Sequence, residues 1–130
     1  MHATPLAGVR ILLVDDDEMV RDALCDYFTE CGAVVVEAAS ARAGLSTFMQ
    51  APPDVLVSDL RMPPGEDGFW LIANIRALTP EQGGRVPAVA ITGDVDAAAN
   101  AIAAGFHAVH GKPPRLADLA MAVARLARGR

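Results

Sequence analysis

The chain has 130 residues, which is the length of one ordinary domain. Hydrophobic residues make up 52% of it and charged residues only 21%, so it holds enough apolar material for a core, and disorder is excluded for most of its length. The formal net charge is −5 at pH 7, the wrong sign for binding phosphate backbones or anionic lipid. We therefore expect a single domain that binds neither nucleic acid nor a membrane surface directly.

Five short and mostly β-branched apolar runs punctuate the sequence, at residues 9–14, 34–36, 55–57, 86–91 and 108–109. Each is followed by a longer stretch with apolar residues at helical spacing, for example Leu71, Ile75 and Leu78, or Leu116, Leu119 and Val123. The apolar runs are continuous rather than alternating, which indicates strands buried on both faces, as in parallel sheets covered by helices on each side. The pattern predicts an α/β fold, doubly wound around a five-stranded parallel sheet.

The cysteines and the N-terminal sequence indicate the cellular compartment of the protein. Cys25 and Cys31 lie in one predicted helical stretch, where a rise of ~1.5 Å per residue puts their Cα atoms ~9 Å apart, beyond disulfide reach. No apolar run approaches the ~18 residues of a membrane span, and residues 1–8 lack the pattern of an export signal. We expect a reduced, cytoplasmic protein with an N-terminal tail at residues 1–8 and one domain at residues 9–128.

Polar side chains follow the predicted strands where the carboxyl ends of a parallel sheet form a ligand-binding edge. Asp15 and Asp16 follow the first strand, Asp59 the third, Thr92 the fourth and Lys112 the fifth. Two carboxylates at ~4 Å repel by ~4 kcal/mol at an effective dielectric of ~20, so a cation is expected among them. Magnesium prefers oxygen ligands and one or two carboxylates beside a phosphate. This set favours phosphoryl chemistry, in which a carboxylate can itself be the nucleophile.

A third acid, Asp17, stands at the start of the first predicted helix. Adjacent side chains that leave a strand end diverge, so Asp17 is expected to cap this helix and complement its dipole. It is therefore not expected to join Asp15 and Asp16 as a metal ligand.

Four motifs in this order resemble those of the receiver domain of two-component response regulators: LLVDD at 12–16, VSDLRMP at 57–63, AITG at 90–93 and GKP at 111–113. Each motif is weak alone, but all four fall on predicted strand ends, and the resemblance covers about residues 9–128. It implies a flavodoxin-like, chemotaxis-receiver-like sheet in the order 2-1-3-4-5. It also implies a signalling phosphoacceptor rather than an enzyme.

The resemblance implies a role for each site residue. Asp59 is the phosphoacceptor, and Mg²⁺ or Mn²⁺ is held by Asp15, Asp16, Asp59 and the backbone carbonyl of Arg61. Lys112 pairs with the phosphoryl oxygens, and the Thr92 hydroxyl turns inward to bond them.

The same resemblance implies the partners and one backbone feature. The phosphoryl group comes from a phosphohistidine of a sensor histidine kinase or a histidine phosphotransfer protein, and a downstream protein target reads the result. The chain is either a free-standing regulator or a receiver excised from a hybrid histidine kinase. The Lys112-Pro113 peptide bond is expected to be cis.

Two departures from the family pattern stand out. Between Asp59 and Gly68 there is one residue more than usual, and the insertion is expected at residues 64–66. Val109 occupies the position, three residues before Lys112, where the family usually carries an aromatic side chain or histidine. Valine has a restricted χ1 torsion and no ring, so it cannot move between two pockets as a large aromatic side chain can. We expect Val109 to keep its rotamer on activation while the loop at residues 92–96 rearranges.

Two other functions remain open on sequence grounds. A haloacid-dehalogenase-type phosphohydrolase would use Asp15 as its nucleophile, although the chain is short for such an enzyme. A phosphorylation-incompetent interaction module would have the fold without the chemistry.

Overall fold

The computed structural model describes residues 4–129, so residues 1–3 of the expected tail lie outside it. Within residues 4–129, five strands and five α-helices alternate, and a short 3-10 helix at Pro80–Gln82 precedes the fourth strand. The strands are β1 (Arg10–Val14), β2 (Val34–Ala38), β3 (Val55–Asp59), β4 (Ala88–Thr92) and β5 (Ala108–Gly111). The helices are α1 (Glu18–Glu30), α2 (Ala41–Gln50), α3 (Gly68–Arg76), α4 (Val95–Ala104) and α5 (Leu116–Arg128).

All strand pairs are parallel, and the sheet order is β2-β1-β3-β4-β5. The predicted fold class and strand order are confirmed. Because the strands are parallel, their carboxyl ends share one edge of the sheet. Asp59 and Thr92 are the last residues of β3 and β4 rather than the residues after them, because both strands run further than their apolar segments.

Helices cover both faces of the sheet, and each face has its own apolar cluster. Leu12, Leu56 and Ala90 point to one cluster, packed under α2, α3 and α4. Leu13, Val57 and Val89 point to the other, under α1 and α5. Both sets are buried, as the continuous apolar runs predict. Leu6, in the segment expected as a tail, is also fully buried in the second cluster.

Strand β2 departs from the prediction of burial on both faces. The side chains of Val34 and Val36 remain 55% and 47% exposed. The reason is position: β2 is the edge strand next to β1, and its apolar run is no different in composition from those of the inner strands. Sequence periodicity reports how apolar a strand is but not whether a neighbour covers it.

Side-chain caps define where four of the helices begin. Asp17 accepts hydrogen bonds from the amides of Met19 and Val20, at 3.0 and 3.3 Å, which confirms it as the N-cap of α1. Ser40, Asp67 and Asp94 cap α2, α3 and α4 in the same way. None of the helices between residues 4 and 129 has the length and apolar character needed to cross a membrane.

Asp17→Ala is expected to lower the free energy of unfolding by ~1 kcal/mol, because two amides of α1 lose their acceptor. Asp17→Asn keeps an equally good capping oxygen and should stay within a few tenths of a kcal/mol of the wild type. Urea unfolding in a chelator measures both. Equal destabilisation by the two variants would contradict the capping assignment.

Candidate functional site

Asp59 ends β3 at the carboxyl edge of the sheet and is only 4% exposed. The backbone amide of Arg61 donates to its Oδ1 at 3.4 Å, and the chain then turns away toward α3. Gly68 begins α3 so close to this turn that a Cβ there would overlap the backbone carbonyl oxygen of Asp59. The glycine therefore lets the loop at residues 60–67, called the acceptor loop below after the role expected for Asp59, close tightly over the end of β3.

Asp15 and Asp16 lie beside Asp59, and one carboxylate oxygen from each of the three residues falls within 4.8 Å of the others. Asp15 is fully buried, whereas Asp16 is exposed. The Oδ1 of Asp15 accepts the amide of Asp17 at 2.9 Å. The adjacency predicted from strand ends on neighbouring strands is thus present for all three acids.

Lys112 supplies the positive charge in this cluster. Its Nζ lies 3.0 Å from Oδ2 of Asp59 and 3.0 Å from Oδ2 of Asp15. The contact with Asp59 also meets hydrogen-bond geometry, whereas the fully buried Oδ2 of Asp15 is in contact with Lys112 as an ion pair. The Lys112-Pro113 peptide bond is cis, as expected, and so is Pro63-Pro64.

The electrostatics of the cluster shift the pKa values of two groups, the Asp59 carboxyl and the Lys112 ammonium. Burial raises the pKa of Asp59 and the charge of Asp15 raises it further, against the opposing effect of Lys112. Burial alone would lower the pKa of Lys112, but its bonds to the two carboxylates outweigh burial and leave that pKa raised. The cluster thus sets one ammonium group, that of Lys112, against the three carboxylates of Asp15, Asp16 and Asp59.

These acids fit a divalent metal ion. The donors are carboxylate oxygens, which Mg²⁺ and Mn²⁺ prefer. Oδ2 of Asp15 is buried and shares the single Lys112 ammonium with Asp59, so a metal ion would supply the further positive charge that these two carboxylates lack. The exposed Asp16 leaves room for the water ligands that magnesium retains.

Thr92 and Val109 lie on the neighbouring strands. Thr92 is buried at the end of β4, and its hydroxyl oxygen accepts the amide of Asp94 at 3.1 Å. Val109, in β5, is half-buried and packs against the cluster under α3 and α4. The structure therefore places Thr92 on the same edge as Asp59 and Lys112, and Val109 within the sheet.

Sequence reasoning missed Arg21 altogether, and it named Arg61 only for its backbone carbonyl and not for its side chain. Arg21 donates from Nη1 to the carbonyl oxygen of Asp15 at 2.8 Å and pairs with Glu37 at 3.4 Å, which anchors the first acidic loop to α1 and β2. Arg61 pairs with Asp94, at 3.1 Å between Nε and Oδ2. Helical spacing after the acidic run could have suggested Arg21. No local pattern indicates a pair 33 residues apart.

The acceptor loop, in which an insertion is expected at residues 64–66, contacts α2. Arg42 donates to Glu66 at 2.8 Å, and its guanidinium lies 5.3 Å from the centre of the Trp70 ring. Together with Asp16, both residues of this ion pair line a small groove beside the acidic cluster. The expected insertion at residues 64–66 thus forms one wall of that groove. The fluorescence of Trp70, which contacts Arg42, is therefore expected to respond to changes in the groove.

In a chelator, Asp59→Asn is expected to raise the free energy of unfolding at pH 7, and the melting temperature with it, because it removes a carboxylate whose charge is disfavoured by burial and by the neighbouring charge of Asp15. A raised pKa means that the folded state binds the proton more tightly. The ionised Asp59 carboxylate therefore destabilises the wild type fully above its folded pKa. This effect disappears as the pH falls below the unfolded value of about 3.9, where the residue is protonated in both states. Thermal melts across this range should show the two proteins converging in acid. A constant difference at every pH would contradict this account.

Comparison with known proteins gives one family. Residues 11–124 match the model of the response regulator receiver domain. The chain is 34% identical over 124 residues to the response regulator protein FleR of Pseudomonas aeruginosa, covering 94% of this chain and 25% of that protein. It is 42% identical over 87 residues to an uncharacterized 14.6 kDa protein of Leptolyngbya boryana, covering 67% of this chain and 64% of that protein. The chain thus spans less than two thirds of the length of these curated relatives.

A solved structure agrees with this match. The receiver domain protein from Clostridium thermocellum superposes with a TM-score of 0.82 at 25% identity, covering 93% of this chain and 95% of that one. The family model matches most of the chain, and the strand order β2-β1-β3-β4-β5 is the one that the resemblance to this family implies. The chain belongs to the response regulator receiver domain family of two-component systems.

Proposed function

We propose that this receiver domain accepts a phosphoryl group on Asp59 in a two-component phosphorelay and thereby switches a partner-binding surface. The observation that carries the proposal is the position of Lys112, whose Nζ lies 3.0 Å from both Asp59 and Asp15 in an acidic cluster that one ammonium does not neutralise. Such a cluster can bind a metal ion and then a phosphoryl group.

The transfer step follows from the acceptor's position. A carboxylate oxygen of Asp59 attacks the phosphorus atom of the donor, the bond between phosphorus and the donor's imidazole nitrogen breaks, and the nitrogen keeps the electron pair. The product is an acyl phosphate on Asp59 and a free histidine on the donor. Asp59 suits this role because it ends β3 in a fixed position, held by the amide of Arg61 and by Lys112.

Asp15, Asp16, Asp59 and the backbone carbonyl of Arg61 would hold Mg²⁺ or Mn²⁺. When bound, the ion neutralises the carboxylates and the charge that develops on the phosphoryl oxygens. Lys112 follows those oxygens as a point charge on a flexible stem. The Thr92 hydroxyl leaves the amide of Asp94 and donates to a phosphoryl oxygen instead.

The partners follow from this chemistry. The donor is a phosphohistidine on a sensor histidine kinase or a histidine phosphotransfer protein, and an unidentified protein target reads the phosphorylated form. The domain extends over residues 9–128 together with the preceding segment that buries Leu6 in its core, either free-standing or as part of a hybrid kinase. A reduced cytoplasmic compartment agrees with Cys25 and Cys31, which are both free thiols.

The phosphohydrolase alternative would make Asp15 the nucleophile. The family match supports a signalling module and not a hydrolase. An interaction module without chemistry would not need the charged cluster at all.

A small-molecule phosphodonor tests the proposal. The protein is incubated with acetyl phosphate and magnesium, and its intact mass should rise by one phosphoryl group. Excess chelator should suppress the gain, because the acids then repel the incoming anion. A protein that gains no mass with magnesium, or gains as much in chelator, would refute the proposed function.

A further inference from the structure

An ion pair joins the acceptor loop to the loop that precedes α4. Arg61, two residues beyond Asp59, approaches Asp94 at 3.1 Å between Nε and Oδ2. The two side chains are 55% and 38% exposed, so both can turn without disturbing the core. Exposed pairs of this kind are weak and are easily exchanged for a stronger partner.

Asp94 also makes hydrogen bonds that link the site to the first turn of α4. Its backbone amide donates to the hydroxyl oxygen of Thr92 at 3.1 Å. Its Oδ1 accepts the amides of Asp96 and Ala97, at 2.9 and 3.1 Å, and so caps the helix. One residue therefore contacts the switch threonine, the acceptor loop and the start of α4.

The opposite end of α4 is anchored. Arg76, at the end of α3, donates from Nε and Nη2 to the carbonyl oxygen of Gly105 at 3.1 and 2.7 Å, and from Nη1 to that of Gly84 at 2.9 Å. Gly105 ends the helix at φ +125°, a conformation that favours glycine. The C-terminal end of α4 is thus fixed by charge-assisted hydrogen bonds.

The first turn of α4 is held more loosely. Val95 is 82% exposed, and the helix buries only the small side chains Ala97 and Ala101 in the core. Little apolar area opposes a displacement of this turn, because stabilisation scales with the area removed from water. The helix can therefore move at its beginning while its end stays in place.

We propose that Arg61 and Asp94 are positioning residues that couple the phosphorylation of Asp59 to the first turn of α4. The proposal rests on the proposed function. Phosphorylation leaves an added negative charge on the loop that carries Arg61. The guanidinium turns from Asp94 to the phosphoryl oxygens, which it can bind in bidentate fashion. Asp94 then loses Arg61, and Thr92 in turn leaves its amide, so the first turn of α4 shifts about the end fixed at Gly105.

This route does not need a large side chain in β5. Val109 is short and half-buried, so it offers no ring to move between two positions. The pair of Arg61 and Asp94 gives α4 two arrangements, and the charge on Asp59 selects between them.

Methyl NMR spectra with and without magnesium and beryllofluoride, a phosphoryl mimic, test the coupling. The reporters are the Val95 and Ala97 methyl groups, in the first turn of α4, which is the part of the helix expected to shift. Arg61→Ala removes the guanidinium, and Asp94→Asn keeps the helix cap while removing the charge. In both variants without beryllofluoride, the chemical shifts of the reporter methyl groups should already be displaced toward the values they take in the beryllofluoride-bound wild type. The further change in chemical shift on adding beryllofluoride should then fall by about half or more. The double variant should match either single variant.

Arg42→Gln is the matched control, because it removes another exposed ion pair of the acceptor loop, at 2.8 Å to Glu66, that does not contact α4. Its reporters should behave as in the wild type. Wild-type reporter positions and a full beryllofluoride shift in Arg61→Ala and Asp94→Asn, or additive effects in the double variant, would overturn the coupling. Intact masses after acetyl phosphate treatment separate the two claims: a wild type that takes up no phosphoryl group refutes the proposed function itself.

Discussion

Asp15→Asn and Asp16→Asn are each expected to weaken magnesium binding by about 10- to 100-fold. Both residues place a carboxylate oxygen within 4.8 Å of those of the other acids in the cluster, and an amide oxygen carries no charge to attract the ion. The loss should be clear for Asp15 in particular, since its buried Oδ2 shares the single Lys112 ammonium with Asp59. Titration followed by the fluorescence of Trp70, the one tryptophan of the chain, measures the affinity, with calorimetry as an independent readout.

Asp17→Asn is the matched control for these variants. It makes the same chemical change in the next residue, but Asp17 caps α1 and its side chain accepts from Met19 and Val20. Its magnesium affinity should stay within about twofold of the wild type, because asparagine caps a helix as well as aspartate does. If Asp17→Asn lost as much affinity as Asp16→Asn, the assignment of the metal ligands would be wrong.

Lys112→Ala is expected to remove most of the spectral response to beryllofluoride, because no ammonium then follows the phosphoryl oxygens. The same change leaves Asp15 and Asp59 without their shared partner, so unfolding in chelator should become easier by about 3 kcal/mol. Magnesium should bind more tightly than in the wild type, since a competing cation is gone. Thermal melts with and without magnesium and a beryllofluoride titration measure the three effects.

Lys112→Arg keeps the charge but not the compact ammonium, and serves as the comparison. It should retain more of the unfolding free energy than Lys112→Ala. An undiminished beryllofluoride response in Lys112→Ala would instead make this lysine a surface charge without a role at the site.

Much of the site could be predicted because parallel strands bring their carboxyl ends to one edge. Asp15, Asp59 and Lys112 lie far apart in the sequence, yet each follows or ends a short apolar run, and that placement was sufficient to predict their contact. Asp17 was separated from its neighbours by the capping rule alone. The strand order came from the resemblance to a family and not from the residues themselves.

What could not be predicted depends on long-range side-chain geometry. The pair of Arg61 and Asp94 joins two loops whose side chains take their directions from the turns after β3 and β4, and no periodicity records those directions. The exposure of Val34 and Val36 depends on β2 being an edge strand, which a single apolar run does not reveal. The hydrogen bonds from Arg76 to the carbonyl oxygens of Gly84 and Gly105 could not be predicted either, because they also join separate parts of the chain.

The central claim is that Asp59 is the phosphoacceptor, and locating the phosphoryl group tests it most directly. The protein is treated with acetyl phosphate and magnesium, reduced with borohydride so that an acyl phosphate becomes homoserine, digested and sequenced by mass spectrometry. We expect homoserine at position 59 alone, and no phosphoryl uptake in Asp59→Asn. Homoserine at position 15, or uptake that persists in Asp59→Asn, would contradict the account, and modification of Asp15 would favour the phosphohydrolase alternative.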